Sequence, residues 1–288
     1  NILKDHLLRC PECNSELDYN NDEIIECSNN LCDNQYPIIN EVPTFIDSTP
    51  KSSRGFEYQW KKRLNGNFEI DTLYGKDEKE EYSQFFRHLK ITSNDIENKN
   101  ILDAGCGSGR WTYAMQELGA KRVDSFDISE EAIKRCKEIN SNAHVFDIWN
   151  LKPNPIYDFV LSWGVLHHTE KPREAFTKVA SQVKKNGMLH VMIYNKENDW
   201  AYDGFRGETC VEKHKYWVTL SDKEKIKLCE DMVKKRRGNI HGWFDALNPT
   251  YNWSYSASEI EQWFKEEGFS EIKLRVVKQN INMNGILS

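Results

Sequence analysis

The run Ala104-Gly105-Cys106-Gly107-Ser108-Gly109 limits what this chain can fold into more than any other stretch. It follows Ile101-Leu102-Asp103, which reads as a buried strand. It precedes Trp111, Ala114, Met115 and Leu118, which share one face of a helix that Gly119 would stop. A strand, a glycine turn and a helix in succession place backbone N–H groups and a helix N-terminus beside a ligand, because glycine lets the ligand reach the main chain. The succession also implies a parallel sheet, since the chain must cross back before the next strand can lie alongside. The dinucleotide fingerprint G-x-G-x-x-G would place its last glycine at position 110, where this chain has Arg110. The loop alone leaves open a nucleoside ligand or a turn that binds nothing.

The strand-helix rhythm continues. Val123 to Asp127 reads as a second strand, followed by a helix capped by Ser129 with Ala132, Ile133, Cys136 and Ile139 inward. Val145-Phe146, Phe159-Val160-Leu161 and Met188 to Ile193 supply three more strands. Between the last two, Ala175, Phe176, Val179 and Val183 mark a helix ending at Asn186-Gly187. Residues 195–257 break the rhythm and read as a lid inserted over the strand ends. It resumes at Ser258-Glu259-Ile260-Glu261, read as a capping box, then Gly268, a strand from Ile272 to Val277, and Ile281 to Gly285 as a last edge strand. The fold class expected is α/β, with a Rossmann-like, mostly parallel sheet.

Acidic residues fall where such a sheet binds ligands. Asp127 ends the second strand about twenty residues after the loop, where a carboxylate accepts both ribose hydroxyls. Asp147 ends the third, placed to take an adenine amine, with Ile148 to pack on the ring. Asp103 precedes the glycines, placed to fix the loop or meet an amino group. The motifs Asp103 to Gly109, Phe126-Asp127-Ile128-Ser129, Phe146-Asp147-Ile148, Tyr157 to Ser162 and Val183 to Leu189 resemble, in order, those of class I S-adenosylmethionine-dependent methyltransferases. Asn186 stands where that family often has glycine. The resemblance covers roughly residues 98–195. It implies a seven-stranded sheet with a reversed final strand, and S-adenosylmethionine held by Asp103, Gly105, Gly107, Asp127, Ile128, Asp147, Ile148 and one of Ser162 and Trp163.

The eight cysteines are unevenly placed: Cys10, Cys13, Cys27 and Cys32 crowd the start. A tight quartet suggests thiolates around Zn²⁺ in a reducing compartment, with the cytoplasm as default, whereas two disulfides or four unrelated thiols are the alternative. Tyr36-Pro37-Ile38-Ile39 and Val42-Pro43-Thr44-Phe45 beside it resemble a zinc-ribbon like the small activator subunits of tRNA methyltransferases. Three regions are expected: a zinc-ribbon at 1–47, a helical linker and cofactor cover at 48–98, and a methyltransferase domain at 99–288. The opening residues lack a basic stretch followed by an apolar one, so no secretory leader is expected, and no apolar run would span a membrane.

Methyl transfer is an in-line displacement at carbon, so it depends on positioning, with a base needed only for an acceptor that keeps its proton. His167 and His168, in the loop after the fourth strand, and Tyr194, ending the fifth, are the candidate catalytic residues; the bland reading of the histidines is that they brace the loop. Phe56, Tyr58 and Trp60 read as cofactor cover or core, and His241, Trp243, Asp245, Tyr251 and Trp253 as acceptor pocket or lid packing. Lys234-Lys235-Arg236-Arg237 reads as a solvated helix end. A formal net charge of −6 argues against an extended nucleic-acid footprint. The favoured expectation is methylation of an O or N atom of a small-molecule metabolite. The alternatives are an RNA methyltransferase whose ribbon engages nucleic acid and a silent subunit that binds cofactor or activates a partner.

Overall fold

In the computed structural model, the described residues are 89–198, 219–236, 240–277 and 280–288, most of 10–43, and Trp60, Phe85, Phe86, Tyr216 and Trp217. Phe56, Tyr58 and Cys210 lie outside them, as do the side chains of His241 and Asp245.

Two sheets form. The smaller is antiparallel, in the order β1 (Leu17–Tyr19), β2 (Ile24–Cys27), β3 (Gln35–Ile39) and β4 (Val42–Pro43). The larger holds β5 (Asn100–Ala104), β6 (Arg122–Asp127), β7 (Ala143–Val145), β8 (Tyr157–Trp163), β9 (Val183–Tyr194), β10 (Phe269–Val277) and β11 (Asn280–Leu287). Its order is β10-β11-β9-β8-β5-β6-β7, with β5 to β9 parallel and β11 antiparallel to both neighbours. This is the Rossmann-like, mostly parallel arrangement expected from the alternation, with the seven strands and reversed last strand that the resemblance implies. β4 lies against β7, and Cys10, Leu17, Ile25 and Tyr36 join the same apolar core as Phe146 and Leu151.

Helices cover both faces because the central strands are apolar on both faces. On one face, Trp111, Ala114 and Met115 of α1 (Arg110–Glu117) pack with Phe85 and Leu89 over Ile101, Phe159 and Leu161. Near β7, Ile133 and Cys136 of α2 (Glu130–Lys137) meet Ala143 and Val145, and Ser129 Oγ caps that helix by accepting the Ala132 N–H at 3.2 Å. On the other face, α3 (Pro172–Ala180) and α6 (Ala257–Glu266) bring Phe176 and Phe264 together at 5.0 Å. Each such fully buried side chain contributes about 1.5–3 kcal/mol.

Three expectations are corrected. The helix before β9 ends at Ala180, not at Asn186-Gly187, and Val183 already belongs to β9. Asn186, with φ 62°, lies where the pairing slips between Tyr157↔Val183 and Phe159↔Met188; a Cβ on Gly187 would stand 2.9 Å from the Tyr157 carbonyl oxygen. Val183 suits either reading because one apolar residue at a helix-strand junction satisfies both periods. The capping box of α6 is Ser256 with Glu259, not Ser258 with Glu261; Ser256 Oγ accepts the Glu259 N–H, and Glu259 Oε2 accepts the Ser256 N–H at 2.7 Å. Finally, β11 is interior, and β10 is the edge. A hairpin reversal slots the last strand beside β9, which local patterning does not reveal.

Within 195–257, α4 (Asp222–Arg236) and α5 (Ile240–Leu247) enclose a satellite core of Trp217, Cys229, Trp243, Phe244 and Leu247. Trp243 is thus packing, and Lys234 and Lys235 are exposed near the end of α4. The chain then returns across the sheet end as a strap: Trp253 N–H donates to the His167 carbonyl at 2.9 Å and Tyr255 N–H to the Tyr194 carbonyl at 2.9 Å. Among the described residues, no helix is long and apolar enough to cross a membrane.

Candidate functional site

The glycine turn is held to β6 by its own backbone. Gly105 and Cys106 donate their N–H groups to the Phe126 carbonyl at 2.8 and 2.9 Å. Gly107 N–H donates to Asp127 Oδ2 at 2.9 Å, and Ser129 N–H to Asp127 Oδ1 at 2.9 Å. Gly105 and Gly107 are two of the positions that demand glycine. Gly105 has φ 85°, and a Cβ there would stand 2.2 Å from Val165 Cγ2; Gly107 has φ 54°, and its Cβ would stand 2.5 Å from Trp60 Cζ2. Trp60, read from sequence as cofactor cover or core, therefore lies on the turn.

Across β5, β6 and β7 the strand ends carry, in order, the turn, Asp127 and Asp147. Burial raises the pKa of Asp127, against the N–H bonds from Ser129 and Gly107 that lower it. Asp147 opens the turn Ile148–Asn150, accepting Trp149 N–H at 3.0 Å; burial raises its pKa too, and Ile148 is buried beside it. Asp103 is the brace: Thr112 Oγ1 donates to its Oδ2 at 2.7 Å and lies 2.8 Å from Ser125 Oγ, tying α1 to β5 and β6. Burial pushes the Asp103 carboxyl up to about 7. Sequence reasoning missed Thr112 and Val165. A threonine one turn into an amphipathic helix carries no local signal of its partner.

At the end of β8, Ser162 and Trp163 project to opposite faces, as successive strand residues must. Ser162 Oγ is buried without a hydrogen-bond partner. Trp163 packs on Trp111 at 5.0 Å and stacks on His190 at 6.0 Å and 8°. The three candidate catalytic residues meet in one cluster. His167 lies 3.9 Å from Tyr194 and 4.3 Å from His168 between ring centres, and His168 lies 5.6 Å from Tyr194. His168 Nδ1 is 3.1 Å from the Tyr251 carbonyl oxygen, which can only accept, so the proton sits on Nδ1. The strap is thereby fastened to the loop, which fits the bracing role for His168.

The four cysteines of the small sheet converge, their sulfur atoms all within 4.8 Å of one another. Cys10 and Cys32 stand 3.5 Å apart and Cys13 and Cys27 3.4 Å apart, so none is in a disulfide. Tetrahedral thiolates around Zn²⁺ stand about 3.8 Å apart, so the cluster suits that ion. Hydrogen bonds from Ser15 bring the Cys13 thiol down to about 6, while burial pushes Cys27 up to about 12. Tyr36 Oη lies 3.1 Å from Cys10 Sγ, and Asn34 Nδ2 donates to Cys32 Sγ at 3.1 Å, an outer shell of the kind that steadies metal ligands.

Comparison with known proteins agrees with this geometry. The chain is 33% identical over 128 residues to the tRNA U34 carboxymethyltransferase of Shewanella oneidensis, a stretch that is 42% of this chain and 37% of that protein. Its namesake from Actinobacillus succinogenes is 29% identical over 127 residues, 41% of this chain and 40% of that protein. The chain thus spans about two fifths of the length of these curated relatives. The magnesium protoporphyrin IX methyltransferase of Synechocystis PCC 6803, solved with bound SAM, shares the fold: TM-score 0.51 at 15% identity, over 84% of this chain and 98% of that one. The profile of a family described as Methyltransferase domain matches residues 74–274, most of the chain, and this protein accordingly belongs to that family.

Proposed function

We propose that the chain is an S-adenosylmethionine-dependent methyltransferase that acts on an RNA, with tRNA the first acceptor to test. The observation that carries this reading is the match to relatives named for a tRNA substrate. The site is compatible with it: the half-buried Tyr194 ring, backed by the buried His167, stands at the strand ends, and RNA modules recognise unstacked bases by stacking on aromatic side chains. This reverses the expectation of a metabolite acceptor. That second reading keeps support from the net charge of −6 and from the strap that fastens the His167–Thr169 loop.

S-adenosylmethionine supplies a methyl group on a sulfonium, open to in-line displacement. In this reading the backbone of Gly105 and Gly107 lies along the cofactor, Asp127 accepts the ribose hydroxyls, and Asp147 with Ile148 receives the adenine. Ile128 and the end of β8, at Ser162 and Trp163, complete the pocket. Asp103 acts through Thr112, keeping α1 and the turn in register. Tyr194, held from behind by the buried His167, flanks the acceptor and keeps its nucleophilic atom in line. The Cys10, Cys13, Cys27 and Cys32 quartet binds Zn²⁺ and gives the small sheet the folding energy that its few apolar residues lack.

The test is transfer of tritiated methyl from S-adenosylmethionine, with bulk tRNA and a nucleic-acid-free metabolite extract as parallel acceptors. Nuclease-sensitive label in tRNA supports the proposal. Label confined to the extract refutes it in favour of the metabolite.

A further inference from the structure

The last strand alternates as Asn280-Ile281-Asn282-Met283-Asn284. β11 is an interior strand, and both faces of such a strand are ordinarily apolar. Ile281 and Met283 obey, packing in the core with Phe264. The asparagines share the opposite face. Asn284 is accounted for, since its Nδ2 donates to the Leu89 carbonyl at 2.6 Å.

Asn282 is not accounted for by the fold. It is 2% exposed, and neither its Nδ2 nor its Oδ1 has a hydrogen-bond partner. A buried carboxamide without partners loses its hydration for no return, and a leucine would cost less. Its cross-strand neighbours form a row at the C-terminal end of the parallel strands: Trp163 pairs with Met192, Met192 with Asn282, and Asn282 with Arg275. Met192 reaches toward the turn after β8, its Cε 3.3 Å from where a Gly164 Cβ would stand. Tyr194, two residues on from Met192, belongs to the candidate acceptor cluster. Arg275 is half-buried and has no ion pair among the described residues.

We infer that this row reads the acceptor base: the Asn282 carboxamide pairs with a ring edge carrying adjacent N–H and C=O groups, and Arg275 takes a phosphate of the same strand. A carboxamide offers one acceptor and one donor in a plane, which complements such an edge as found in pyrimidines. The guanidinium beside it suits a phosphate oxygen. The inference rests on the RNA reading.

The experiment uses the full zinc-loaded chain, tritiated S-adenosylmethionine and bulk tRNA, with N282L and R275Q beside wild type. N282L is expected to lower kcat/KM for tRNA at least about tenfold, because the site loses its pairing group. Its affinity for S-adenosylmethionine, by calorimetry, stays within about twofold, and its Tm is no lower than wild type. R275Q weakens tRNA binding and reduces the slope of log affinity against log salt by about one. Wild-type label in tRNA with kcat/KM unchanged in N282L overturns the inference alone. Cofactor affinity falling in step with acceptor turnover makes Asn282 structural and overturns it too. Should N282L not fold, N282S and R275Q decide by the same readouts. No wild-type label in tRNA overturns both the RNA reading and this inference.

Discussion

Alanine at position 105 separates what the turn asks of the backbone from what it asks of space. Gly105 sits at φ 85°, a conformation that costs an L-residue about 1–2 kcal/mol. The added Cβ would stand 2.2 Å from Val165 Cγ2 and 2.9 Å from its Cγ1, an overlap that must be relieved by displacement. Overpacking of this kind costs about 1–3 kcal/mol, so G105A is expected to lose about 2–5 kcal/mol in all. V165A removes both clashing methyls of a half-buried side chain and costs about 1 kcal/mol by itself. The double variant should then be about 1–3 kcal/mol more stable than the sum of the singles, because most of the steric part vanishes and only the 3.1 Å contact with the residue-165 Cβ and the backbone part remain. Urea unfolding followed by tryptophan fluorescence measures all four corners of this cycle. Additivity within about 0.5 kcal/mol would show that Val165 yields without cost, and would refute the steric half of the argument.

The pH dependence of stability tests the Asp103 brace. A free aspartate titrates near about 3.9, whereas burial raises Asp103 to about 7. Between these values the folded state holds the extra proton, so this group's contribution is fully present below the unfolded pKa and is lost as pH rises through the folded one. D103N carries no titrating group, so the difference in Tm between wild type and D103N should shift steadily against wild type from pH 4 to 7; a pH-independent difference contradicts the assignment. S256A removes the cap of α6 and should cost about 1 kcal/mol, whereas S258A should cost less than about 0.5 kcal/mol. Equal effects in urea unfolding would count against the Ser256 capping box. Atomic absorption should find about one Zn²⁺ per chain, reduced in C13S and removed by a strong chelator with loss of Tm. Full retention of metal in C13S would exclude the quartet as its site.

How much could be read from the sequence divides along the sheet. The half built from β5, β6 and β7 was legible because each motif is local. Ile101-Leu102 reads as a buried apolar run, Ser129 caps the helix after its own strand, Asp127 ends β6, and Asp147 stands two residues after β7. Asp127 also fastens the turn, through Gly107, but its place at the strand end needed no knowledge of that bond. Val183 shows where locality fails, since one valine between α3 and β9 fits either period until the pairing partner Tyr157 is known.

The other half depends on strand order. His167, His168 and Tyr194 were each visible as polar residues at strand ends, and they meet because β8 and β9 are neighbours, which a parallel repeat already implies. The strap that fastens them comes from residues 251–255, about ninety residues after β8 begins, and nothing local announces Tyr251 as the partner of His168. The row of Trp163, Met192, Asn282 and Arg275 is more remote still: it exists only because a reversed strand enters between β9 and β10. Read as an edge strand, Asn280 to Asn284 would be an ordinary solvated alternation. Placed in the interior, the same alternation leaves a carboxamide with no protein partner, and strand order thereby turns a bland pattern into an argument about the acceptor.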